Sequence, residues 1–322
     1  MTRSFTMSPA RLNTPRVRVR HGRRFHGTES NYGLPNDEKE HTRLNYQHEA
    51  LKLILGSNYT APLPELNAGA GPRAVLDVGS GSGIWVTEIA QEFPNAQVTG
   101  IDMSEPGLSS SHIPLNATFV TADITKPFPF ESRSFDVVQM RIVPSLHDRT
   151  LIYKEIHRVL RPGGLILLVE PAPHVSRVGR TPPAMIECDQ AIIHSGHKTR
   201  SGSTEAGKEH TSEHGKEEEW SVANRIAQDL RKQPQMWINV HEEKLIVPIG
   251  VWTDGERSRK AGQLMQHCAV ELINGFRPNL IDNAGLSEEL VDAMMAKLAS
   301  ELEDGERWQL EAPFRFVWAI RT

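Results

Sequence analysis

Ala74-Val75-Leu76-Asp77-Val78-Gly79-Ser80-Gly81-Ser82-Gly83 is a short apolar run that passes into a glycine-rich turn and then into the helical pattern Ile84 to Phe93. The run Val75 to Val78 has the character of a strand covered on both faces, as a parallel sheet requires. Asp77 interrupts it. An unpaired acid inside such a strand costs several kcal/mol, so Asp77 belongs at the carboxyl end with a polar partner. Gly79, Gly81 and Gly83 allow a tight turn and let a ligand approach the backbone where any Cβ would intrude. The stretch therefore reads as a seat for a nucleotide-type cofactor.

Outward from this turn, strands and helices alternate at βαβ spacing, which predicts a parallel sheet with helices on both faces. Val86, Ile89, Ala90 and Phe93 share one helix face, and Pro94 ends that helix. Gln97 to Ile101 is the second strand, ending at Asp102; Thr118 to Ala122 is the third, ending at Asp123; Phe135 to Met140 is the fourth, followed by Arg141. A helix from about Thr150 closes on Arg161-Pro162-Gly163-Gly164, and Leu165 to Val169 leads to Glu170. Beyond it come a helical pattern over 181–194, a helix from Trp220 to Leu230 and a strand from Ile238 to Val251. Two more helical patterns at about 256–274 and 287–302 and an aromatic-rich strand from Pro313 to Ile320 follow. Ahead of the turn, Asn36 or Asp37 caps a helix from about Glu38 to Gly56, with Leu44, Leu51 and Leu55 inward. Arg43, Gln47 and His48 are mixed into that inner stripe and are candidates to face a ligand. Residues 57–73 read as a linker.

Two segments carry little apolar content. Residues 1–30 form a basic tail, with seven arginines and no acid in the first 24 positions. It reads as disordered, with a nuclear-type basic signal or an organellar presequence as alternatives. Residues 195–219 are Ser, Gly, His, Lys and Glu with almost no large apolar side chain and read as a disordered insertion. His194, His197, His210 and His214 lack acid or Cys partners at metal-site spacing, so no metal is assigned. The 322-residue chain carries a formal net charge of −4, which gives no footprint for direct nucleic-acid binding, and it has no long apolar span for a membrane. Cys188 and Cys268 are the only cysteines and stand in no metal-spaced pair, as expected in a reducing compartment.

Which cofactor the turn takes follows from the acids. Asp77, Asp102, Asp123 and Glu170 each fall at or near the end of a predicted strand, where ligands of open α/β sheets bind. Asp102 stands 19 residues after Gly83, a spacing suited to a carboxylate that accepts from ribose hydroxyls. A dinucleotide fingerprint requires a further glycine, and the position in question holds Ile84. A pyrophosphate is also poorly served by an acid just ahead of the turn. S-adenosylmethionine has the opposite demands: a sulfonium and an ammonium suit Asp77, and Asp123 is placed for the adenine amino group. A nicotinamide oxidoreductase is disfavoured on the same two residues.

These residues, with Phe135-Asp136-Val137-Val138-Gln139-Met140-Arg141 and Leu160 to Gly164, resemble the successive motifs of class I S-adenosylmethionine-dependent methyltransferases. Tyr32-Gly33-Leu34-Pro35-Asn36-Asp37, with Glu40, Arg43, Leu44, Gln47 and His48, is similar more narrowly to the fungal LaeA-like methyltransferases of secondary metabolism. The resemblance implies an α/β, Rossmann-like seven-stranded sheet whose last strand is antiparallel, with a helical N-terminal addition over 31–73. It places a methyltransferase domain over 74–322 with lid elements at 181–194 and 256–302. It implies a cofactor held by Asp77, Gly79, Gly81, Gly83, Asp102, Asp123 and Met140. A small-molecule acceptor is expected, in the cytoplasm; the alternative is a nuclear regulatory methyltransferase acting in a protein complex. His147 and His174 lie in the region where a base would stand, Glu170 is placed to fix polar groups of substrate or cofactor, and no catalytic residue is assigned.

Overall fold

A computed structural model describes residues 17–27, 32–143, 148–200 and 222–322, with side chains described to Ser195 in the third segment. The chain begins with a hairpin of β1 (Val17–Arg20) and β2 (Arg23–His26), then α1 (Glu38–Leu55), and enters the sheet at β3 (Ala74–Val78). Next come α2 (Ile84–Glu92), β4 (Gln97–Asp102), β5 (Ala117–Thr121), β6 (Phe135–Arg141), α3 (Thr150–Val159) and β7 (Leu160–Pro171). The two-residue β8 (Val175–Ser176), α4 (Pro183–Arg200), α5 (Val222–Arg231) and β9 (Trp237–Ile249) lead to α6 (Glu256–Gly275). α7 (Arg277–Asp282), α8 (Glu288–Glu303) and β10 (Leu310–Arg321) complete the chain.

The strand order is β5-β4-β3-β6-β7-β10, with β9 and the short β8 both pairing β10. β3 runs parallel to β4 and β6, and β7 parallel to β6, whereas β10 is antiparallel to β7 and to β9. The seven principal strands thus have six in one sense and β10 reversed, as the family resemblance implied, with β8 added at the edge. The order reverses between β3 and β6, so the crevice at their carboxyl ends is the switch point at which such sheets bind ligands.

Three apolar clusters hold the layers. One sheet face, with Leu76, Val78, Val138 and Met140, packs on Ile152 and Ile156 of α3 and Ile226 and Leu230 of α5. The opposite face, with Val75, Val98, Val137 and Leu167, packs on Trp85, Val86 and Ile89 of α2. Alternate residues of β3 therefore enter opposite cores, which is why the run is apolar throughout. The third cluster joins α1, α4, α6, α7 and α8 over Val169, Phe314 and Phe316, forming a helical cap at the carboxyl end of β7 and the amino-terminal half of the antiparallel β10. Among the described residues no helix is long and apolar enough to cross a membrane.

Three segments depart from the sequence reading. The tail expected to be disordered forms the β1–β2 hairpin over Val17 to His26, turned through His21 (φ 46) and Gly22 (φ 72). Arg20 pairs with Asp282 at 2.7 Å and donates to Asn279 Oδ1 at 2.9 Å, while Arg23 pairs with Asp37 at 2.6 Å. Those acids are distant in sequence, so the arginines looked unpartnered. α4 continues to Arg200, making the first residues of the expected insertion helical; 201–219 lie outside the described residues. β7 begins at Leu160 rather than Leu165, because Leu160 pairs with Phe135 of β6 and a register irregularity before Leu165 takes up the Arg161-Pro162-Gly163-Gly164 turn, whose Arg161 reaches Asp136 Oδ1 at 2.6 Å.

Candidate cofactor site

Asp37 caps α1 by accepting from Glu40 N at 3.2 Å, and Gly56 ends the helix in the left-handed region. This fixes α1 across the carboxyl rim of the sheet, directly over the glycine turn. A Cβ on Gly81 (φ 53) would stand 2.9 Å from Leu44 Cδ1 of α1, and one on Gly83 (φ 82) 2.8 Å from Phe119 Cζ of β5. Both positions combine a positive φ with a neighbour too close for any side chain. The turn is tied to the next strand: Gly79 N and Ser80 N donate to Ile101 O at 2.8 and 3.2 Å.

Asp102 ends β4 and completes that tie. Its Oδ2 accepts from Gly81 N at 2.9 Å, while Oδ1 accepts from Ser104 N at 3.0 Å and Ser104 Oγ at 3.1 Å. The carboxylate is therefore oriented at the edge of the turn, and Oδ2, with one bond, retains acceptor capacity for a hydroxyl. His26, Tyr32 and His41 surround it electrostatically, with burial lowering both histidines. Asp123 lies two residues beyond β5, its Oδ1 accepting from Thr125 N at 2.9 Å and Thr125 Oγ1 at 2.7 Å.

Asp77 is 4% exposed and sits opposite Gln139 in the β3–β6 register. Gln139 Nε2 donates to its Oδ1 over a long 3.3 Å. Burial pushes this carboxyl up to about 6, against the pull of Arg141. Because the group holds its proton more tightly in the native fold than when unfolded, its stabilising contribution is full in acid and disappears as pH rises through about 6. At neutral pH Asp77 is an ionised, poorly paired acid, which is the condition a cation beside it relieves.

The alternation of β6 separates its last residues. Gln139 and Arg141 share the face of Asp77, whereas Met140, fully buried, points the other way into the core with Val78. Met140 was expected at the cofactor; anything it offers there comes from its backbone. Arg141 Nη1 lies 3.1 Å from His48 Nδ1 of α1. His48 Nε2 lies 3.1 Å from Glu88 Oε2, which also meets Lys52 Nζ at 2.7 Å. Of the mixed polar residues of α1, His48 thus turns toward the site. Arg43 turns away, paired with Glu40 at 2.6 Å and donating to Cys268 Sγ at 3.3 Å, and Gln47 is partly exposed.

Glu170, expected to bind substrate or cofactor polar groups, has a structural partner instead. Its Oε1 is 2.7 Å from Arg149 Nη2, with both side chains almost fully buried. The pair grips Val143 from both sides: Val143 N donates to Glu170 Oε1 at 3.2 Å, and Arg149 Nη2 donates to Val143 O at 3.0 Å. The clamp holds an exit from β6 that is strained, because Ile142 is β-branched and has φ 54. Val143 in turn packs against the turn, its Cγ2 3.2 Å from where a Gly79 Cβ would be. His174 lies in the link between β7 and β8, and His147 lies outside the described residues. Arg141 was visible in the sequence as a charge directly after an apolar strand, the same signal that marked the four acids.

A doubly wound sheet with a glycine turn at its switch point and acids on the flanking strand ends defines an enzyme of nucleotide-type cofactors. A family model described as a methyltransferase domain matches residues 75–164, from β3 through the Gly164 turn. Methyltransferase str2 of Strobilurus tenacellus is 31% identical over 210 residues, covering 62% of this chain and 73% of that protein. Methyltransferase pytC of Aspergillus terreus is 28% identical over 314 residues, covering 94% and 86%. The secondary metabolism regulator LAE1 of Cochliobolus heterostrophus is 32% identical over 149 residues, covering 45% of this chain and 47% of its own length. The chain belongs to the S-adenosylmethionine-dependent methyltransferases and resembles their LaeA-like branch.

Proposed function

We propose that the turn Gly79 to Gly83 holds S-adenosylmethionine with Asp77 toward its cationic amino-acid end, Asp102 on the ribose hydroxyls and Asp123 toward the adenine amino group. The observation that carries this reading is the joining of the turn to the β4 acid through Gly81 N and Asp102 Oδ2, beside a buried, under-paired Asp77. When bound, the cofactor supplies an activated methyl group for in-line transfer. The chain's own task is to align an acceptor and exclude water, and alignment of that kind supplies up to ~7–11 kcal/mol of a barrier. We assign the acceptor to a small secondary metabolite held beneath the cap built from α1, α4 and the helices over 256–302, with the protein in the cytoplasm. The similarity to LAE1 supports a second reading, a nuclear regulatory methyltransferase whose acceptor is a protein partner.

Deleting the gene and profiling metabolites tests the acceptor. The expected result is accumulation of a compound lacking one methyl group, reversed by the unaltered gene and not by an Asp102→Ala copy. Loss of many unrelated metabolites without a demethylated precursor, together with recovery of the protein in nuclear complexes, would favour the regulatory reading.

The Asp77 site has its own pH signature. S-adenosylhomocysteine affinity is expected to rise as pH increases from 5 to 7 and then level off, because a ligand ammonium requires the ionised carboxylate whose value lies at about 6. Titration calorimetry across this range should show the rise in the unaltered chain and a flat, weaker profile in Asp77→Asn.

A further inference from the structure

Unlike Arg43 and Arg149, Arg141 has no ion pair with a carboxylate among the described residues. Arg43 is paired with Glu40 and Arg149 with Glu170, each guanidinium within 2.7 Å of a carboxylate oxygen. Arg141 lies at the carboxyl end of β6, on the face shared with Asp77 and level with Gly79, and burial pushes its guanidinium down. Among the described residues its hydrogen-bonding partner is the ring of His48, and Asp77 and Glu88 act on it through their fields alone. Its side chain is only partly covered. A guanidinium carries five donors, and leaving several unmatched inside a fold is costly. Asp77 is in the complementary condition, with one long bond to Gln139. An acid and a guanidinium side by side, each under-paired and not joined to one another, form a receptor for a zwitterion.

Resting on the cofactor reading above, we propose that Arg141 receives the α-carboxylate of the cofactor's amino-acid end, with His48 as the positioning residue that aims it. With Nδ1 facing the Arg141 donor, the ring proton sits on Nε2, toward Glu88. Burial keeps His48 neutral, so the ring accepts from the guanidinium rather than repelling it. Glu88, itself paired with Lys52 at 2.7 Å, stands 3.1 Å from Nε2 on the far side of the ring. The strained exit at Ile142 and the clamp on Val143 fix the strand end from which Arg141 projects.

The test compares S-adenosylhomocysteine with its decarboxylated counterpart, S-adenosyl-3-thiopropylamine, by calorimetry. The unaltered chain is expected to prefer the carboxylate-bearing ligand by about 10–100-fold, the range of one charge-assisted hydrogen bond. Arg141→Met should bind both at the affinity of the amine, with circular dichroism unchanged. Should Arg141→Met fail to fold, His48→Leu is expected to reduce the preference and His48→Asn, which retains an acceptor, to restore it. An equal affinity of the unaltered chain for the two ligands overturns the proposal and leaves the cofactor reading standing. So does a preference retained in Arg141→Met, or in both His48 variants. Failure of the unaltered chain to bind S-adenosylhomocysteine overturns the cofactor reading and this proposal with it.

Discussion

Asp102→Ala is expected to weaken S-adenosylhomocysteine binding by about 10–100-fold, since a ribose hydroxyl loses a charge-assisted acceptor worth ~1.5–3 kcal/mol. The variant also frees Gly81 N and both Ser104 donors from their common acceptor, so the turn loses a tether as well as the ligand contact. Because Asp102 is partly exposed, water replaces those bonds and the fold should survive with a loss of about 1 kcal/mol. Ser104→Ala separates the two effects: it removes the hydroxyl donor and leaves the carboxylate, and its affinity should stay within about threefold of the unaltered chain. Calorimetry on both variants, with thermal melts as the control, reads the difference. Unchanged affinity in Asp102→Ala would mean that the ribose contact lies elsewhere.

The largest expected effect on stability is at Glu170. Removing one member of a buried ion pair strands the other charge, and Glu170→Ala should cost about 3–5 kcal/mol by leaving Arg149 without its carboxylate. The same change releases Val143 N, loosening the exit of β6 and with it the packing of Val143 against the Gly79 turn. Ligand affinity should therefore fall together with the melting temperature. The double variant Glu170→Leu with Arg149→Met removes both charges and is expected to regain most of the stability, since apolar replacements of buried pairs are often neutral. It should not regain the affinity, because neither side chain then holds Val143. A double variant as unstable as Glu170→Ala would show that the clamp, rather than the stranded charge, dominates the cost.

The parallel sheet was legible because its strands are buried on both faces and carry continuous apolar runs ending in acids or in Arg141. α1 was legible from Asp37, its leucine stripe and Gly56. The β1–β2 hairpin was not, although Val17 and Val19 alternate with Arg18 and Arg20. Arg20 finds Asp282 of α7 and Arg23 of β2 finds Asp37 of the α1 cap only in the folded chain, and no local pattern announces those partners. The site divides in the same way. Gly79, Gly81, Gly83, Asp77 and Asp102 could be singled out because a turn and two strand ends dictate their residue types, and the fold brings them to one rim of the sheet. The direction of Met140 was not legible without the sheet's register, in which its side chain shares the core face of Val78 while Gln139 faces Asp77. Glu170 shared the strand-end signal of the other acids, and only the fold shows Arg149 closing over it. The contact between Arg141 and His48 spans 93 positions and depends on α1 docking across the rim.

The central claim is that a glycine turn beside Asp77 and Asp102 serves a cationic amino-acid nucleoside and not a dinucleotide. Parallel calorimetric titrations of the full chain with S-adenosylhomocysteine and with NAD test it most directly. One-to-one binding of S-adenosylhomocysteine with no heat from NAD is the predicted result, and binding of NAD with none of S-adenosylhomocysteine would contradict it.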